Sequence, residues 1–97
     1  MKREEFIFAI GYQGMTAIVD GHALKRYKNL STEELLEEGQ FKAAFCSALY
    51  NESDEECELV LKRYNEQSER TYSSIQELKR LFGVFEVPTD VAKVNII

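Results

Sequence analysis

Three times in this chain a serine is followed three residues later by a glutamate: Ser31 with Glu34, Ser53 with Glu56, and Ser74 with Glu77. In such a pair the hydroxyl accepts from an orphan backbone N–H of the first helical turn, and the carboxylate reaches back toward the serine's own N–H. The motif therefore marks where helices start. Ser31 is also flanked by Leu30 and Leu35, the two positions that close a hydrophobic staple around a cap. A helix beginning at Thr32 follows.

That helix does not run unbroken to Tyr50. Phe41, Ala44, Phe45, Ala48 and Leu49 form one apolar stripe at the helical period, and extending it backward would put Glu37 and Glu38 on the buried face. The phase breaks at Gly39, a residue that takes the left-handed conformation after a helix end without steric penalty. The pattern predicts a short helix to Glu38, a turn, and a second helix from about Phe41. Ser53 opens the next, with Asp54, Glu55 and Glu56 crowding the turn where the helix dipole favours negative charge. Its stripe is Cys57, Val60, Leu61 and Tyr64, and only Asn51, Glu52 and Ser53 separate it from Tyr50, so it folds back antiparallel. Ser74 opens a helix carrying Ile75, Leu78, Leu81 and Phe82, with Gly83 and Val84 suited to a left-handed cap and a hydrophobic latch onto Leu78.

Residues 3–30 admit two readings. In the preferred, helical one, REEFIFAIGYQ is a helix ended by Gly14, and Thr16 caps a second helix holding Ala17, Leu24 and Tyr27. In the other, FIFAI and MTAIV are strands and Asp20-Gly21 is a tight turn. The tail after Val84 is rich in strand formers, and Pro88 interrupts it. At 97 residues the chain has material for one core. The expected architecture is one domain over 1–97, with an ambiguous segment 1–30, a helical core 31–83 and an extended tail 84–97. Its class is mainly α, an antiparallel arrangement of four to five short helices with a minor β element from the N-terminal stretch and the tail; the alternative is α+β.

Several chemistries are disfavoured. The longest apolar run, Phe6 to Ile10, is too short to span a bilayer or serve as a signal segment, and a cytoplasmic location with no membrane role is expected. Cys46 and Cys57, the only cysteines, offer neither a disulfide framework nor paired zinc-ligand spacing, and read as reduced, packed thiols. No metal site and no cofactor is implied. The net charge is -5, and residues 31–70 hold eleven acidic and four basic side chains. Most of this surface would repel nucleic acid.

The candidate sites are correspondingly modest. The leading expectation is a small intracellular protein-interaction or regulatory module without catalytic residues, binding a protein partner or itself as a homodimer. Phe85, Val94, Ile96 and Ile97 are its candidate surface, because they follow the last helix and exceed what a tail needs. An alternative is a nucleic-acid-associated regulator in which residues 16–28 form a helix-turn-helix presenting Lys25, Arg26 and Lys28. A third is an enzyme built around Tyr12, Asp20 and His22, which would require a pocket joining those side chains.

Overall fold

All three serines cap helices in the computed structural model, which describes residues 1–97. The elements run α1 (Arg3–Ile7), β1 (Ala9–Gln13), β2 (Thr16–Val19), α2 (Gly21–Tyr27), α3 (Thr32–Glu37), α4 (Phe41–Tyr50), α5 (Asp54–Gln67), α6 (Ile75–Phe82) and β3 (Lys93–Ile96). The protein is mainly helical with one small sheet. Only Ser31 and Glu34 make the complete reciprocal capping box. At α5 the serine accepts from the Glu56 N–H, but the Glu56 carboxylate is drawn elsewhere, to Thr32 and Asn51. At α6 the Glu77 carboxylate accepts from the Ser73 hydroxyl instead, a bond that holds its pKa below the usual range.

Helix ends fall where the glycines stand. Gly39 (φ 73°) and Gly83 (φ 70°) are both left-handed, and the Val84 N–H donates to the Lys79 carbonyl across the second of them. Helices α4 and α5 pack antiparallel, α3 lies against both, and α6 closes over α5. Phe45, Leu35, Leu78, Val60 and Val19 are fully buried in one connected core that reaches from Phe6 to Leu78. An aromatic chain binds the last three helices: Phe41 and Phe82 both meet Tyr64 edge-on, with ring centroids 5.4 and 5.6 Å away.

The first thirty residues correct both sequence readings. The preferred helix over REEFIFAIGYQ stops after one turn and a half, at Ile7, and Ala9–Gln13 is a strand. Thr16 starts a strand rather than capping a helix. The strand reading holds for MTAIV, which contains β2, but misplaces the rest: β1 starts at Ala9 rather than Phe6, the hairpin turn is Gly14-Met15, with a positive φ at Gly14 alone as in a type II′ turn, and Asp20 is a helix cap. The physical reason is non-local. Strand β2 is central in the order β1-β2-β3, antiparallel to β1 and parallel to β3, so the distant tail completes the sheet that makes the N-terminal strands stable.

Strand β2 buries Ala17 and Val19 against the helices and leaves Thr16 and Ile18 half-covered on the other side. In β3 the parallel register places Val94 beside Ala17 and Ile96 beside Val19, on the helix-facing side. Val94 packs against the core; Ile96 remains exposed at the rim.

Candidate interaction surface

A bulge shapes the most concave part of the surface. Ala9 pairs with Val19 while Gly11 pairs with Ile18, so Ile10 is an extra residue on β1. Ala9 and Tyr12 are three apart and would face opposite ways along a regular strand. With the bulge, Tyr12 pairs with Ala17 and so shares the helix-facing side of the sheet with Ala9, while Ile10 is left exposed. Tyr12 thus hangs over α4 and lies near Cys46; partial burial and that thiol both push its pKa up.

On the other side of that concavity, the irregular segment after Gly83 forms a strap beside α4, near Lys42 and Cys46 first and then near Leu49 and Tyr50. Val84 and Val87 anchor it to the core, and Phe85 and Glu86 point outward. Between strap and strand lies a hollow of about 150 Å³, floored by Phe6 and Cys46 and rimmed by Ile10, Tyr12, Lys42 and Phe85. A second, larger hollow of about 500 Å³ lies on the other side of Phe85, against Leu49, Tyr50 and Glu52. Phe85 is therefore an aromatic ridge, 57% exposed, between two depressions. Cys46 offers the first hollow no nucleophile: burial pushes its thiol up to about 12, against a weaker opposing pull from Lys42 one turn away. Both cysteines are free and buried.

The four residues expected to form one surface are divided. Phe85 lies between the two hollows, the first of which borders β1, whereas Val94 and Ile96 belong to the tail strand at the opposite sheet edge and Ile97 follows it. There the Lys93 N–H donates to Met15 and the Ile97 N–H to Val19. Alternation along a parallel ladder therefore turns the N–H and C=O of Val94 and Ile96 outward, unpaired.

The basic residues lie at the end of α2, where Lys25, Arg26 and the C-cap Lys28 are all exposed. Residues 16–28 are not a helix-turn-helix: Thr16–Val19 is the central strand, and α2 has no preceding partner helix in that segment. The three residues of the enzyme reading are likewise apart. The Asp20 carboxylate is occupied as the α2 cap, accepting from the His22 and Ala23 N–H groups, and the His22 side chain is exposed. Tyr12 faces the first hollow, Asp20 borders a different one, and His22 borders neither.

One constellation escaped the sequence reading altogether. The Arg3 guanidinium donates to the Leu30 carbonyl and to the Ser47 hydroxyl, each at 2.8 Å. Ser47 lies 2.7 Å from the Thr32 hydroxyl, which donates to Glu56 at 3.1 Å. This row ties α1, α3, α4 and α5 together through two buried hydroxyls. Its one sequence signal is Ser47 itself, a polar residue in a helix whose positions 43–48 are all buried.

No group of His, Cys, Asp or Glu side chains converges as a metal ion would require, and no helix is long and apolar enough to cross a membrane. No protein family, curated protein or solved structure is matched by this chain.

Proposed function

We propose that this protein is a non-catalytic interaction module that binds protein, including a second copy of itself, through apolar side chains its own core leaves uncovered. The observation carrying this reading is the cluster Ile10, Tyr12 and Phe85, which are 56%, 44% and 57% exposed around one hollow. Exposed apolar residues scattered singly are ordinary; several bordering one concavity mark a contact surface. The polar groups nearby are in poor condition for chemistry, since the thiol is held protonated and the one histidine stands apart.

Light scattering on eluting fractions, over a hundredfold range of loading concentration, tests the self-association arm. A mass that climbs toward twice that of the chain is the expected result. A strict monomer throughout removes that arm.

A further inference from the structure

The hollow beside Phe85 carries more than apolar walls. Lys42, on α4, and Glu86, next to Phe85 on the strap, both line it, and both side chains are exposed. The same face thus presents a projecting aromatic ring, a depression of about one ring's size, a cation and an anion. A face with a projection beside a recess is self-complementary under a two-fold axis, because each copy supplies what the other lacks.

We infer that the occupant of this hollow is a second copy of the chain, related by a two-fold axis that seats each Phe85 in the partner's recess and brings each Glu86 to the partner's Lys42. This rests on the interaction reading above and specifies its face. Charge decides the partner. A basic ligand would meet Lys42, an acidic one would meet Glu86, and a second copy satisfies both at once. The rival apolar edge, β3, has no such complement, since Lys93 is its only charged residue. Aromatic anchors in recesses dominate interface energies, whereas exposed charge pairs mainly set orientation and salt dependence.

The test compares the wild-type chain with Phe85→Asp, Lys42→Glu and the exchanged pair Lys42→Glu/Glu86→Lys, each by light scattering and by far-ultraviolet circular dichroism. Phe85→Asp is expected to raise the dimer dissociation constant at least on the order of a hundredfold with an unchanged helical spectrum, since the ring is mostly outside the core. Lys42→Glu should weaken the dimer about tenfold, and the exchanged pair should recover most of that loss. A wild-type dimer that survives both Phe85→Asp and Lys42→Glu overturns this face and leaves the interaction reading standing on another. Failure of the exchanged pair to recover overturns the two-fold pairing even if Phe85→Asp is misfolded. A wild-type monomer at every concentration overturns both the face and self-association.

Discussion

Replacing Thr32 with valine keeps the side chain's shape and removes a single hydroxyl, yet the effect should travel along a directed row of hydrogen bonds. A guanidinium only donates and a carboxylate only accepts. Thr32 spends its one proton on Glu56, so the bond between the hydroxyls must use the Ser47 proton, and Arg3 donates to a free Ser47 lone pair. The two charged ends therefore fix both hydroxyl orientations. With valine at 32, Ser47 keeps the Arg3 donor but its own proton has no acceptor, in a residue with no exposed surface. An unsatisfied buried donor costs about 1–3 kcal/mol. Glu56 loses a further bond, but it is only half-buried and retains Asn51 at 2.9 Å, so water recovers part of that loss. The added methyl returns about 0.8 kcal/mol. The net expectation is a loss of about 2 kcal/mol, or roughly a 10 °C fall in melting temperature for a domain of this size.

Urea unfolding of Thr32→Val, Ser47→Ala and the double variant is the assay. Ser47→Ala strands the second guanidinium bond of Arg3, and the double variant removes both hydroxyls, so the unpaired proton created by Thr32→Val no longer exists. The double variant should therefore cost less than the two singles combined, by about 1 kcal/mol. Additivity within about 0.5 kcal/mol would show that the hydroxyls act independently and that the directed row is wrong.

Other expectations follow from single residues. A Cβ on Gly21 would lie 2.6 Å from the Ile97 carbonyl oxygen and 2.8 Å from the Ile96 Cγ2. Overpacking of about 1–3 kcal/mol should thus exceed alanine's gain of about 1 kcal/mol in helix propensity. Gly21→Ala should speed amide exchange at Ile97 selectively, and a change spread evenly through the helices would contradict this. Glu52 is the one non-glycine residue with a positive φ, 52°, and a left-handed conformation costs a side chain about 1–2 kcal/mol. Glu52→Gly should stabilise by about 0.5–1 kcal/mol after the added unfolded-state entropy, read as a higher urea midpoint; a lower midpoint would refute the strain. The Cys46 thiol, raised to about 12 from a usual value near 9, stays protonated in the folded chain across a window where the unfolded chain ionises. Its contribution is therefore complete below about pH 9 and declines as pH rises toward 12. Cys46→Ala should flatten that decline, and an unchanged slope would count against it.

What was legible in the sequence, and what was not, divides by the distance over which information acts. Ser31, Ser53 and Ser74 announce helices because a cap is settled within four residues, and Gly39 and Gly83 end helices for the same reason. Even so, the destination of the Glu56 carboxylate was hidden, since its partner Thr32 lies twenty-four residues back. The hairpin is not legible locally because β2 owes its place to a strand more than seventy residues later, and local propensity over 3–30 favours neither outcome decisively.

Apart from Phe85, the proposed interaction surface fails to appear in sequence for a sharper reason, one of parity. Along any regular strand Ala9 and Tyr12 take opposite sides, so the sequence alone predicts that they never share a hollow. The extra residue Ile10 reverses this, and a bulge is defined only by the strand opposite. Tyr12 therefore joins Phe6 and Cys46 through an irregularity in pairing, and Phe85 reaches the same rim because Val84 and Val87 pin the strap beside α4. Deleting Ile10 would leave Ala9 and Tyr12 two apart, so that ordinary alternation keeps both on the helix-facing side opposite Val19 and Ala17, and the hollow would lose only its Ile10 rim. Self-association through that recess should therefore survive the deletion, weakened by the lost rim contact, and its abolition with the helical signal of α3 to α6 intact would refute the assignment of Tyr12's side by its pairing with Ala17.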